Sequence, residues 1–249
     1  MSGHSKWASI KHKKAIVDQR RGQHFTKLAR AITVAARDGG GDPEMNAPLG
    51  NAVQKAKDAS MPKDNIERAI LKGTGAGADA AAFEEVVYEG YGPGGVALLI
   101  ETLTDNRNRT AADMRHLLSK RGGTLGQPGS VAYLFNKRGV ILVDAARYTE
   151  DDLLVAIEAG AEDLTTDDGI VEIVTDPKDL PAVRAALEEA GIELEGAEVT
   201  QQPTTRTTID EETAEKLMRL IESLDENDDV NEVHANFDVP ADVLERVAG

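Results

Sequence analysis

A basic segment at the N-terminus carries the residues best suited to bind a polyanion. Up to residue 37 the chain has nine lysines and arginines and one acid, Asp18, whereas the whole chain has a formal net charge of −16. Lysine and arginine neutralise phosphates without reading a base sequence, and an indole can stack on an unpaired base. The candidate nucleic-acid contacts in this segment are Lys6, Trp7, Lys11, His12, Lys13, Lys14, Arg20, Arg21, Lys27, Arg30 and Arg37. The alternative interpretation of its first twenty residues is a disordered, solubilising tail.

A second polar cluster, residues 105–110 (DNRNRT), lies between a predicted strand and a predicted helix. Loops of this kind on a rigid sheet often carry function, so Arg107, Asn108 and Arg109 are candidates for a second contact with an anionic partner. The same loop is also suited to cap the helix, with Asn106 or Asn108 accepting hydrogen bonds from its first amides. The sequence leaves both interpretations open.

No residue pattern indicates catalysis, a metal or a cofactor. The chain has no cysteine, and its histidines occur in neither HxH nor HExxH spacing, with no carboxylate at ligand spacing. The acidic run at residues 225–229 lacks the glycine and glutamate of a calcium-binding loop, so we interpret it as an acidic loop after a helix. We predict a protein that is not an enzyme and that binds no cofactor, no metal and no small-molecule substrate.

Charge is unevenly distributed along the chain. Residues 1–75 carry a net charge of +7, residues 76–140 are neutral, and residues 141–249 carry −23. Such asymmetry suggests one end that meets a polyanion and another end that repels it, and the alternative interpretation of the acidic half is that it keeps the protein soluble. The absence of a long apolar run or an apolar signal segment predicts a cytoplasmic protein with no membrane partner, although an Arg-rich, acid-poor start could also mimic an organelle transit peptide.

The N-terminal third must position the basic segment, and its pattern is helical. From Phe25 to Arg37 the apolar residues share one face, while Lys27, Arg30 and Arg37 occupy the opposite face together with one misplaced apolar residue, Val34. Two further helices follow, one capped by Asn46 and one that starts at Pro62 and stops at Gly73. Residues 21–75 are therefore predicted to form a small helical bundle, followed by a Gly- and Ala-rich linker.

The remaining chain has a mixed pattern. Strands are predicted at residues 86–89, 96–102 and 131–135, with a helix at 109–120. Residues 139–202 have the pattern β-α-β-β-α-β, the ferredoxin-like order, with one of its helices carrying Leu153, Leu154 and Ile157. A capped helix from Asp210 and a strand at 233–237 then complete the chain.

The fold class expected from these patterns is α+β, an N-terminal helical bundle plus two α/β ferredoxin-like domains, one inserted in the other. The predicted domains are 1–75, the basic arm and helical domain; 76–137 with 204–249, a discontinuous α/β domain; and 138–203, the inserted ferredoxin-like domain. Three serial domains are the alternative.

Several long motifs resemble the YebC family. They are residues 3–7 (GHSKW), 10–14, 25–28, 61–70 (MPKDNIERAI) and 104–110. The resemblance covers nearly the whole chain and implies three domains, a helical one and two α/β domains with one inserted in the other. It also implies one of two functions: a DNA-binding transcriptional regulator, or a ribosome-associated translation factor that helps elongation through proline-rich stretches.

The sequence therefore predicts a non-enzymatic nucleic-acid-binding regulator of gene expression. Because no duplex-reading motif is evident, ribosomal RNA on the ribosome suits the basic arm better than a DNA operator, and DNA is the alternative partner. A small-molecule sensor or enzyme built on the ferredoxin-like domain is a third hypothesis, which no convergent polar motif supports.

Overall fold

The structure, a computed structural model, describes residues 21–75, 83–167 and 169–248. Three helices, each with an apolar inner face, come first in these ranges. They are α1 (Arg21–Gly39), α2 (Ala47–Asp58) and α3 (Lys63–Gly73). The Asn46 side chain caps α2 by accepting from the Leu49 amide, as predicted. Their shared core is aliphatic and consists of Leu28, Ile32, Ala36, Leu49, Val53, Ala56, Met61, Ile66 and Ala69.

Helices α1 and α3 approach each other closely at Gly73. A Cβ atom added there would lie 2.3 Å from the Thr33 carbonyl oxygen, so no larger residue fits without moving the helix backbones. Thr33 also donates from its hydroxyl to the Ala69 carbonyl, at 3.2 Å. The glycine that was predicted to end α3 is thus also the residue that permits this helix crossing.

A four-stranded sheet follows. Its strands are β1 (Glu84–Tyr91), β2 (Ala97–Thr104), β3 (Thr124–Leu125) and, far along the chain, β9 (Val230–Ala235). Their order along the sheet is β3-β1-β2-β9. Helices α4 (Arg107–Lys120) and α7 (Glu211–Asp225) pack on it around a core that includes Leu98, Met114 and Leu217.

A second four-stranded sheet lies between the two parts of the first in chain order. Its strands are β4 (Phe135–Asp144), β5 (Ala161–Asp167), β6 (Ile170–Thr175) and β7 (Leu194–Pro203), in the order β5-β6-β4-β7, and its helices are α5 (Leu154–Glu158) and α6 (Leu180–Glu189). This is the ferredoxin-like arrangement that the β-α-β-β-α-β pattern predicts. A short parallel pair, β8 (Thr207–Thr208) with β10 (Phe237–Asp238), and helix α8 (Ala241–Ala248) complete the fold.

The mixed α+β class, with N-terminal helices followed by two sheets of which one is inserted in the other, is confirmed. The domain boundaries given above stay a prediction. None of the helices in the described ranges is long and apolar enough to cross a membrane.

Two local predictions are wrong. Residues 131–135 do not form a separate strand, because residues 132–134 form a 3-10 turn. The buried Glu89 carboxylate accepts hydrogen bonds from the amides of Gly129, Val131 and Ala132 at 2.5–2.8 Å, which curls this segment. In the inserted domain, Leu153 is buried, but Leu154 and Ile157 are 54% and 45% exposed, since α5 is only a short helix after a 3-10 turn.

Candidate nucleic-acid interface

The basic face of α1 lies against the acidic loop, residues 225–229. Lys27 donates from Nζ to the Asp225 carbonyl at 2.5 Å, and Arg30 donates from Nη1 to the carbonyls of Asp228 and Leu103 at 2.8 and 3.0 Å. The Arg30 guanidinium also lies over the Phe83 ring, 4.6 Å from its centroid. Lys27 and Arg30 therefore contact the protein's own chain, as does the third cation of this face, Arg37.

Two further residues of α1 continue this contact. Val34 is only 2% exposed although it lies outside the apolar face of the helix, so the opposite face is covered as well. Arg37 is more exposed; it donates to the Phe83 carbonyl and pairs with Asp38. The face that we interpreted as an outward extension of positive charge is thus also a packing surface.

Asp229 is the centre of the polar network at this contact. Its side chain is 8% exposed, and one carboxylate oxygen accepts from Arg109 Nη2 at 2.7 Å and from the Thr110 hydroxyl at 2.8 Å. The other oxygen lies 3.5 Å from Arg30 Nη1. Burial alone would raise the pKa of Asp229, but its hydrogen bonds to Arg109 and Thr110 and the charges of Arg109 and Arg30 together lower it.

The loop at residues 105–110 caps helix α4. Asn106 accepts from the Arg109 amide at 3.1 Å, which is the capping interpretation of this segment. Arg109 binds Asp105 and Asp229, and Arg107 is 67% exposed with Glu84 at 3.7 Å. The adjoining cleft of about 350 Å³ is lined by Arg30, Phe83, Asp105, Arg109, Asp113, Asn227, Asp228 and Asp229, so acids outnumber cations in it. Arg109 is consequently a poor candidate for an additional anion.

Helix α4 presents a different basic face to solvent, which we call the α4 face: Asn108, Arg115, His116 and Lys120. All four side chains are exposed, and the ion pairs within the described ranges include none of them. The one acid of α4, Asp113, lines the cleft beside Arg109 and borders this face, because it lies three residues before His116 and seven before Lys120. Of these four residues, sequence reasoning selected only Asn108. The signal for the others was available, because Arg115 and Lys120 lie off the apolar stripe of a predicted helix.

The other candidate residues divide into two groups. Lys6, Trp7, Lys11, His12, Lys13, Lys14 and Arg20 lie outside the described residues, and Arg21 is the first residue of α1. Gln23, in the first turn of α1, donates to the Glu226 carbonyl and to the Asp228 carboxylate. The basic arm therefore joins the described structure beside the acidic loop, close to the start of α4.

Helix α3 follows α2 after a short turn, but its exposed side is not a free basic surface. Asp64 and Glu67 are exposed there together with Lys63, which lies 3.5 Å from Glu67. Arg68 donates to the Asn65 side chain and to the Asp64 carbonyl. The exposed side of α3 therefore mixes two carboxylates with the three cations Lys63, Arg68 and Lys72.

Comparison with known proteins agrees with this architecture. Residues 5–76 match the TACO1/YebC protein N-terminal domain, and residues 83–237 match the TACO1/YebC second and third domain. A relative from Rubrobacter xylanophilus is 56% identical over all of both chains, and one from Halothermothrix orenii is 53% identical over 99% of both; each is described as a probable transcriptional regulatory protein. The crystal structure of a conserved hypothetical protein from Aquifex aeolicus superposes with a TM-score of 0.81 at 49% identity, covering 94% of this chain and 97% of the other.

The helical bundle with one α/β unit inserted in another thus defines a three-part protein of a known structural class. The chain belongs to the TACO1/YebC family.

Proposed function

We propose that this protein is a non-enzymatic regulator of gene expression that binds nucleic acid through its basic arm and the α4 face. The observation that carries the proposal is that Arg115, His116 and Lys120 are exposed basic side chains that form no ion pair within the described ranges. Cations of this kind release counterions when they meet phosphates, which is the main source of sequence-independent affinity. The relatives described as probable transcriptional regulatory proteins support the same class of function.

The finer proposal is a cytoplasmic, ribosome-associated translation factor that contacts ribosomal RNA and eases elongation through proline-rich stretches. The resemblance on residues 3–7, 61–70 and 104–110 implies this function and the alternative below alike. The absence of an evident duplex-reading motif in the sequence favours ribosomal RNA over a DNA operator. The arm and the α4 face suit a folded RNA, whose recognition depends on shape and phosphates.

The alternative proposal is a DNA-binding transcriptional regulator, which the printed descriptions of the relatives favour. Crosslinking in cells followed by sequencing of bound RNA and DNA separates the two. Crosslinks clustered on ribosomal RNA are expected for the translation factor. Discrete promoter sites would replace it with the transcriptional regulator, and neither class of crosslink would remove both.

The binding surface is tested by the salt dependence of binding to a ribosomal RNA fragment. The substitutions Lys11→Ala, Lys13→Ala and Lys14→Ala, and separately Arg115→Gln with Lys120→Gln, should each weaken binding and flatten the plot of log K against log salt. The slope should change by about 0.7 for each single-strand phosphate that is no longer neutralised. The matched control is Lys216→Gln with Arg219→Gln on α7, whose cations already pair with Glu212 and Glu215. An unchanged slope in either variant would remove that surface from the interface.

A further inference from the structure

Three parts of the molecule meet at a cluster of buried and half-buried ionisable side chains, which is separate from the proposed interface. Strand β9 contributes Glu232 and His234, strand β2 contributes Glu101, and helix α2 contributes Lys55. Strand β7 of the inserted sheet covers the cluster with Glu198, Thr200 and Gln201.

The pairing of β2 with β9 places two carboxylates opposite each other. Glu101 and Glu232 are register partners, and His234 lies two residues further along β9. Like charges directly across a strand pair destabilise a sheet, so such an arrangement calls for a cation between them. Lys55 supplies one positive charge, which binds Glu232 Oε1 at 2.5 Å and Glu198 at 2.8 Å. Three carboxylates against one ammonium leave this group at a net charge of −2 when His234 is neutral.

His234 points its free ring nitrogen at the remaining carboxylate oxygens. The residue is 6% exposed, and its Nε2 atom is buried without a hydrogen-bond partner. That atom lies 3.7 Å from Glu232 Oε2, the oxygen that Lys55 does not bind, and 3.8 Å from Glu101 Oε1. Both distances are too long for hydrogen bonds. The space between this buried nitrogen and the two carboxylates is therefore a place that a metal ion could occupy.

The surrounding contacts are those that orient metal ligands. The other ring nitrogen of His234, Nδ1, lies 3.3 Å from the Thr200 hydroxyl, and Gln201 donates to Glu101 Oε1 at 3.0 Å. A metal-bound histidine usually hydrogen-bonds through its second nitrogen, and bound carboxylates are hydrogen-bonded in turn. The ligand atoms of Glu101, Glu232 and His234 all lie within 4.8 Å of one another. Ligands of a tetrahedral zinc ion are roughly 3.3 Å apart, so a small contraction would close the site.

We propose that Glu101, Glu232 and His234 form a binding site for a divalent transition-metal ion, with Zn²⁺ as the best-fitting ion. One imidazole and two carboxylates form a ligand set that zinc accepts with a water as its fourth ligand. The ion would neutralise the excess negative charge and hold β2 and β9 in place where the helical bundle and the inserted sheet meet them. The sequence predicted no metal because two of the ligands lie on β9 and the third comes from a strand about 130 residues earlier.

The site is tested on the full chain after treatment with a chelator, by titrating Zn²⁺ in a calorimeter. We expect one ion per chain at this site and a rise in melting temperature on binding. Glu101→Gln and His234→Ala should each weaken zinc binding at least tenfold and abolish the rise. His4→Ala with His12→Ala controls for zinc binding by the arm, and His116→Ala controls for an exposed histidine; both variants should keep the site.

A second measurement covers the case in which His234→Ala does not fold. The ring nitrogens of His234 are followed by NMR in the unsubstituted protein, where zinc should shift the Nε2 resonance while Nδ1 keeps its proton. Unchanged His234 resonances with saturating Zn²⁺ would overturn the proposal. Zinc binding that survives both Glu101→Gln and the arm substitutions would overturn it too.

Discussion

Helices α1 and α4 each carry a row of cations, and the two rows have opposite surroundings. On α1, Lys27 and Arg30 bind carbonyls of the chain's own acidic loop and of β2, and Val34 is buried between Arg30 and Arg37. On α4, Arg115 and Lys120 are exposed, and the ion pairs of the described ranges leave them out. A row of cations on a helix can therefore bind the rest of the protein or face solvent. A buried apolar residue within the row, as Val34 is on α1, indicates the first case.

Part of the acidic half of the chain lies against α1. Residues 141–249 carry a net charge of −23, and the 225–229 stretch of that half binds cations of the helix through its backbone carbonyls and the Asp229 carboxylate. The same stretch holds Arg109 through Asp229, so one acidic loop binds cations from two elements. The α4 face is not neutralised in this way, because the ion pairs of the described ranges include neither Arg115 nor Lys120.

The largest expected effect follows from removing the carboxylate at the centre of the α1 contact. Asp229→Ala should lower the free energy of unfolding by about 3 kcal/mol, since it removes the ion pairs with Arg109 and Arg30 and the carboxylate that accepts from the buried Thr104 and Thr110 hydroxyls. Urea denaturation measures the change. Asp105→Ala, which removes only the exposed partner of Arg109, is the control and should have a much smaller effect. Equal effects of the two substitutions would mean that the α1 row is not held by Asp229.

The next effect concerns the apolar residue in the α1 row. Val34→Ala should cost about 2 kcal/mol of unfolding free energy, because it removes two buried methyl groups and leaves a small cavity. Val87→Ala on β1 is the matched control, since Val87 is 52% exposed. If Val34→Ala is as mild as Val87→Ala, the α1 row is not packed against the rest of the protein.

Acid should weaken the α1 contact. The folded-state pKa of Asp229 lies below its ordinary value of 3.8, so its stabilising contribution is complete above that value and is lost as the pH falls below it. Asp229→Asn should therefore make stability less dependent on pH in this acidic range. The free energy of unfolding, measured by urea titration at a series of pH values, tests this expectation, and two parallel curves would contradict it.

The smallest effect on stability is expected on α4. Arg115→Gln with Lys120→Gln should change the free energy of unfolding by less than about 0.5 kcal/mol, because neither cation forms an ion pair with the described residues. Thermal and urea unfolding measure it alongside RNA binding. A substantial drop in stability would show that α4 resembles α1 after all, and a weakened RNA affinity could then no longer be assigned to a direct contact.

Much of this architecture follows from local sequence signals. The α1 stripe, the Asn46 cap and the β-α-β-β-α-β order all depend on residues close in sequence, and each is found as predicted. The failures depend on distant partners. Residues 131–135 alternate like a strand, but the Glu89 carboxylate, about forty residues earlier, binds their amides and imposes a turn.

The candidate site was harder to predict for the same reason. Charge and periodicity placed Lys27 and Arg30 on a polar face, but only the tertiary fold brings residues 225–229, almost 200 positions away, onto that face. The isolated Val34 was the one local sign of this contact. Arg115 and Lys120 could have been selected from the α4 pattern, because a helix with a known apolar stripe also defines its outward side.

The insertion has a consequence for engineering the molecule. Phe135 and Pro203 are register partners at the two ends of the inserted sheet, and the Thr204 amide donates to the Leu134 carbonyl at 2.8 Å. The chain therefore enters and leaves the inserted unit through two adjacent, paired strands. Because the two cut ends already lie side by side, we expect a short turn to bridge them, but excision would also remove the contacts of Glu198 with Lys55 and of Arg184 with Asp58.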